Sequence, residues 1–92
     1  MDPSDELTQA RQYFDEAESL RLKGEFDEAI AKCNEAIRLH AHYAKAYGTR
    51  GASYRSKGDL DRAIADLTTA IELDPTYVWA FTQRGSVYRF KG

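Results

Sequence analysis

The sequence predicts an all-α fold, a right-handed superhelical array of antiparallel helical hairpins, and three observations predict it. Arg50–Gly58 reads RGASYRSKG and Arg84–Gly92 reads RGSVYRFKG, so one phrase returns after 34 residues. Sliding the rest of the chain by the same 34 keeps Tyr13/Tyr47, Lys23-Gly24/Lys57-Gly58, Asp27/Asp61, Ala29-Ile30-Ala31/Ala63-Ile64-Ala65, Ala36-Ile37/Ala70-Ile71, Leu39/Leu73 and Tyr43/Tyr77. Within each unit the apolar residues recur at spacings of three and four, the rhythm of one helical face. A fixed period of this size marks a stacked repeat array. The expected organisation is one domain, 1–92, with units 10–43 and 44–77 and the opening of a third at 78–92.

Taken in order, the first helix is expected at roughly 3–23, with Asp2 as N-cap and Pro3 in the first turn. The second, at 26–39, carries the stripe Ala29, Ile30, Cys33, Ala36, Ile37. The third, at 43–57, places Tyr47, Gly51 and Tyr54 on one face. Lys57-Gly58-Asp59 then reads as a helix end with glycine in the left-handed cap position and an acidic residue opening the next helix. The fourth, at 60–73, repeats the second through Leu60, Ala63, Ile64, Leu67, Ala70 and Ile71. Asp74-Pro75 punctuates the loop before the fifth, at 76–91. Small residues stand where helices must approach: Ala17, Gly51 and Gly85 in the odd helices, Ala29/Ala63 and Ala36/Ala70 in the even ones.

The period, the order Tyr47, Gly51, Tyr54, Gly58, Leu60, Ala63, Leu67, Ala70, and the pair Asp74-Pro75 resemble the tetratricopeptide repeat. The resemblance covers residues 10–92, more loosely in the first unit. It implies a protein-interaction scaffold, because members of that family mostly bind other proteins, and a fold alone does not say which. The sequence departs from the family's frequent leucine at Glu16, Arg50 and Arg84, and from its frequent proline at Ala41. A cross-repeat ion pair between Glu16 and Arg50 is the expectation there. It would be worth about 0–1 kcal/mol at the surface.

Composition narrows the function classes. The net charge of −2 and pI near 5.6 give no overall pull toward nucleic acid or anionic membrane. No apolar run approaches the length a membrane helix needs, and the opening MDPSDELTQARQ has no apolar signal core. The single cysteine excludes an intramolecular disulfide and fits a reducing, cytoplasmic setting. Cys33 aligns with Leu67 and is read as core. His40 and His42 flank Ala41 in a loop, two ligands without the third that a metal site needs. The glycines occur singly, not as a phosphate-binding loop. No nucleophile–base pair or paired carboxylates appear, so neither catalysis nor a cofactor is expected.

If the odd helices line a concave surface, as the resemblance implies, a second stripe faces that groove. It comprises Lys45, Gly48, Ala52, Arg55 and Ser56, with Thr49 beside it. Shifting by 34 adds Arg11, Phe14, Glu18, Arg21 and Leu22 on one side and Trp79, Thr82, Ser86, Arg89 and Phe90 on the other. Arginines offer bidentate donors to carboxylates, aromatics supply anchors, and small residues leave room. That set suits an extended peptide with acidic or C-terminal carboxylate groups, the alternative being that the arginines are simply solvated. Family members that clamp a chaperone's C-terminal carboxylate use groove Lys and Asn side chains. The resemblance puts Phe14, Glu18, Ala52 and Trp79 at those places, so that clamp is expected to be absent.

The chain stops where the third unit should begin its second helix. Trp79, Phe81, Tyr88 and Phe90 are expected to form an uncovered apolar face. Either the chain is a piece of a longer array, or the face pairs with another copy as a two-fold dimer. A structural self-assembly unit is therefore the competing reading to the peptide scaffold.

Overall fold

The 34-residue period folds as the pattern requires. The computed structural model describes residues 2–92, so Met1, the first residue of the expected domain, lies outside it. It contains α1 (Pro3–Leu22), α2 (Phe26–Leu39), α3 (Ala44–Lys57), α4 (Leu60–Leu73) and α5 (Val78–Lys91). α1 pairs with α2 and α3 with α4 as hairpins, α2 packs on α3 and α4 on α5. The outcome is an elongated slab of 46 × 28 × 17 Å. Among the described residues no helix is long and apolar enough to cross a membrane.

The two complete hairpins turn by the same device. Gly24 (φ +82°) and Gly58 (φ +86°) adopt the left-handed conformation that costs other residues a Cβ clash. The next residue's amide then reaches back across the turn, Glu25 N–H to the Leu20 carbonyl and Asp59 N–H to the Tyr54 carbonyl, each at 2.9 Å. This satisfies carbonyls that the helix end would leave bare. Asp59 goes further, its carboxylate accepting from the Arg62 amide at 3.2 Å as an N-cap for α4. The first helix opens the same way, with the Asp2 carboxylate accepting from the Ser4 amide at 3.0 Å.

Small side chains set how closely the helices approach. Ala17, Ala29, Ala36, Ala46, Ala63, Ala70 and Ala80 are fully buried, and Leu67, Cys33 and Val87 fill the space between them. Leu67 alone contributes roughly 1.5–3 kcal/mol by leaving water. A Cβ built on Gly51 would lie 2.9 Å from Leu67 Cγ and 3.2 Å from the Ala63 carbonyl oxygen, so α3 and α4 touch there. At the equivalent Gly85 the same atom would meet nothing within 4 Å. Cys33 is core, as its alignment with Leu67 predicts, and burial pushes its thiol up to about 12.

Polar contacts between units also repeat at the period. Lys57 pairs with Asp27, and 34 residues on Lys91 pairs with Asp61 at 2.6 Å. The expected Glu16–Arg50 pair is absent. Arg50 instead forms a bidentate bridge to Asp66 on α4 (Nε–Oδ2 2.8 Å, Nη2–Oδ1 2.7 Å) and donates to Asn34 on α2 at 2.9 Å. Glu16 takes Lys32 at 3.0 Å, the same two positions one unit earlier with the charges exchanged. Within a hairpin the partner helix lies closer than the next unit's column, which is why the pairing runs that way. Arg84 repeats the Asn34 contact by donating to Thr68 at 3.2 Å.

Candidate functional site

α1, α3 and α5 contribute side chains to one cleft of 310 Å³. α1 supplies Phe14, Glu18 and Arg21, α3 supplies Lys45 and Thr49, and the start of α5 brings Tyr77 and Trp79. The missing side chain of Gly48 makes the cleft possible: its Cβ would sit 3.0 Å from the Tyr77 ring and 3.2 Å from the Trp79 ring. The two aromatics therefore lie directly on the α3 backbone, stacked on each other with centroids 5.8 Å apart and planes at 28°. On the opposite wall Phe14 packs against Tyr43 at 5.3 Å. A second hollow of 440 Å³ shares Phe14 and Lys45 and continues past Tyr43 to Arg11, Asp15, His40 and His42.

The polar floor of the cleft is already paired. The Thr49 hydroxyl donates to Glu18 Oε1 at 2.6 Å, and Arg21 donates through Nε to Oε1 (3.1 Å) and through Nη2 to Oε2 (3.0 Å). Partial burial pushes the Glu18 carboxyl up, but the hydrogen bonds from Arg21 and Thr49 outweigh it and hold the group below its ordinary value. The Arg21 guanidinium also lies over the Trp79 ring, 5.6 Å from its centroid, a cation–π contact across the groove. Burial, with Glu18 nearby, pushes the Tyr77 hydroxyl up to about 12. Tyr77 thus stays neutral at any working pH. Lys45 carries an exposed ammonium at the cleft's edge.

The structure brings together Phe14, Arg21, Lys45, Thr49 and Trp79 of the predicted groove set, with Arg11 in the adjoining hollow. Thr49 is 1% exposed and acts only through its hydroxyl on Glu18. Ala52 is a correction: at 4% exposure it offers a ligand no surface. α3 and α5 are bridged beside it, where Arg55 donates to Gln83 at 2.9 Å. Arg55 also lies over Phe90 at 5.5 Å and lines, with Ser56, Gly58, Leu60 and Phe90, a separate hollow of 520 Å³. Arg89 donates to Ser86 at 3.1 Å, and the Thr82 hydroxyl turns back to the Val78 carbonyl at 3.2 Å. The arginine column therefore does not point into one site.

The quartet expected to form one self-association face also divides. Trp79 belongs to the groove wall and Phe90 to the Arg55 hollow, whereas Phe81 and Tyr88, 42% and 52% exposed, face away from both. With 3.6 residues per turn, a step of two carries a side chain past the far side of the helix. Residues 79 and 81 could never share a face. Sequence reasoning used Tyr43 and Tyr77 only as markers of the period, and their wall positions were missed. The available signal was their recurrence at the entrance of α3 and α5, next to the groove stripe. Among the described residues no three His, Cys, Asp or Glu side chains come together as a metal set.

The TPR repeat family matches residues 51–92, the stretch that holds the second turn, α4 and α5. The second TPR domain of Spaghetti (RPAP3), solved bound to the HSP90 peptide SRMEEVD, superimposes with a TM-score of 0.91 at 27% identity, covering 98% of this chain and 82% of that one. The chain has the tetratricopeptide-repeat fold. It holds two repeats and the first helix of a third, in the all-α array of hairpins that the family shares. The second TPR domain of human RPAP3, solved with the HSP70 peptide SGPTIEEVD, is 28% identical with a TM-score of 0.83, covering 87% of this chain and 67% of that one. The Arabidopsis OM64 TPR domain, at 21% identity, has the same fold with a TM-score of 0.87 over 91% of this chain and 69% of its own. No curated protein sequence matches the chain.

Proposed function

We propose that this TPR unit, with residues 10–43, 44–77 and 78–92 acting together, is a non-catalytic interaction module that binds an extended segment of a partner protein across α1, α3 and α5. One observation carries the reading: three odd helices converge on an aromatic-walled cleft at Phe14, Tyr77 and Trp79 with a free cation, Lys45, at its edge. An apolar pocket with a few convergent polar groups is the usual form of a binding site. The similar TPR domains solved with HSP70 and HSP90 peptides support it. An apolar side chain of the ligand enters between the rings, and acidic residues on either side reach Lys45 with Arg11, and Arg55. The single buried thiol suits a cytoplasmic setting. Peptides selected from a random library should lose affinity by about 1–3 kcal/mol on Lys45→Ala or Arg55→Ala, and more weakly on Arg89→Ala. Selected peptides that bind all three variants as well as the parent would remove the cations from the site.

A second reading rests on a different face. Phe81 and Tyr88 stand exposed beside Gly85, in the positions where Tyr47, Gly51 and Tyr54 receive α4 one repeat earlier. We infer that a second copy covers this face through α5. Sedimentation should then show a concentration-dependent dimer that Phe81→Ser with Tyr88→Ser dissolves. A monomer at every concentration sinks this reading and leaves the groove untouched.

A further inference from the structure

We infer that Glu18 is the groove's specificity determinant: it occupies the Thr49 hydroxyl and the Nε–Nη2 edge of Arg21, the convergent donors a ligand carboxylate would need, so the cleft takes an apolar side chain from within a partner segment and refuses a carboxylate at its centre. The inference rests on the groove reading above and adds the class of residue that enters.

Three donors of the cleft converge on one carboxylate. Thr49 contributes one hydroxyl, which points at Glu18 Oε1 from 2.6 Å. Arg21 contributes a guanidinium whose Nε and Nη2 both point at the same carboxylate from 3.1 and 3.0 Å. One remaining face of that guanidinium lies on Trp79. A carboxylate held by a bidentate arginine and a hydroxyl is what a bound acidic ligand would look like, except that here the carboxylate belongs to α1 itself. An incoming carboxylate must displace Glu18 and leave it without donors, or sit against it as a like charge. Either costs more than the contact returns, since a part-buried charged group stripped of its partners loses its hydrogen bonds and regains water only in part. An apolar side chain meets no such penalty, because the walls it touches are Phe14, Tyr77 and Trp79. Lys45 stays outside the network, so acidic residues of the ligand are accepted only at the rim.

The test uses the chain's one tryptophan, Trp79, as its own reporter. The probes are the peptide SRMEEVD and an amide-ended analogue, SRMQQVN, that carries no carboxylate. Glu18→Gln keeps the size but removes the charge and one of the two oxygens that accept from Arg21 and Thr49, and Glu18→Ala removes the group. Both should bind SRMEEVD at least about tenfold more tightly than the parent, the value of one charge-assisted contact regained. The analogue should gain less than about twofold, and adding Arg21→Gln should erase the gain. Two folded variants that bind SRMEEVD no better than the parent overturn the inference, as does an equal gain for both probes. Failure of the groove reading looks different: peptides selected by the parent would bind Trp79→Ala undiminished, whatever Glu18 does.

Discussion

Two glycines in equivalent positions should respond to one substitution with opposite signs. Gly51 and Gly85 are 34 residues apart, each in the middle of an odd helix, where alanine is intrinsically favoured by about 0.8–1 kcal/mol. At Gly85 a methyl group would meet nothing within 4 Å, so Gly85→Ala should stabilise by close to that amount. At Gly51 the methyl carbon would lie 2.9 Å from Leu67 Cγ, 3.2 Å from Asp66 Cβ and 3.2 Å from the Ala63 carbonyl oxygen. Leu67 is fully buried and cannot swing aside, and the Ala63 contact is backbone, so α3 and α4 must move apart. Overpacking of this kind costs roughly 1–3 kcal/mol, which offsets the helix preference and leaves Gly51→Ala destabilising by about 0–2 kcal/mol. The gap between the two variants should then be about 1–3 kcal/mol, or several degrees to roughly 20 °C in Tm for a domain this small. Urea and thermal unfolding of the dilute protein measure it. Equal stabilisation by both would mean that α4 does not seat on Gly51. Equal destabilisation would mean that α5 is covered in dilute solution, as the dimer reading requires at higher concentration.

Three further outcomes follow from the same contacts. Thiol reagents should label Cys33 slowly in the native protein and quickly in urea, because burial both blocks access and suppresses the thiolate; equal rates would put Cys33 at the surface. The folded Glu18 carboxyl lies below its ordinary value, so its stabilisation is complete above the unfolded pKa and is lost as pH falls through the folded one. Any stability advantage of the parent over Glu18→Gln should therefore shrink in acid below about pH 4, and an advantage that grows there would reverse the assignment. Asp66→Ala should cost about 1–3 kcal/mol by leaving the part-buried Arg50 with only Asn34, whereas Glu16→Ala, losing an exposed pair, should cost under about 1 kcal/mol in the same urea titration.

Much of the architecture could be read from the period. Helices expected at 26–39 and 60–73 start and stop at those residues, because Gly24 and Gly58 fix one end and the apolar stripe runs to Leu39 and Leu73. α5 begins two residues later than expected. Asp74 Oδ1 accepts from the Thr76 amide and hydroxyl, a side-chain turn that competes with helix and holds residues 74–76 outside it. Aligning units shows which residues stack in a column, but not how far a long side chain reaches. Arg50 therefore found Asp66 across its own hairpin instead of Glu16 in the column. The groove was half legible for the same reason. Phe14, Lys45 and Trp79 follow from the stripe, whereas the role of Tyr77 depends on Gly48 admitting a ring, and the role of Glu18 on Thr49 lying opposite it.

The central claim is that ligands enter between Phe14 and Trp79, and the indole of Trp79 reports it most directly. Peptides selected by the parent chain from a random library, titrated while the Trp79 indole N–H resonance is followed, should shift that resonance in saturable fashion. The same peptides should lose at least about tenfold in affinity for Trp79→Ala, as expected for an aromatic anchor. Peptides that bind tightly yet leave the indole unmoved, and that bind Trp79→Ala equally well, would place the binding surface elsewhere on the array.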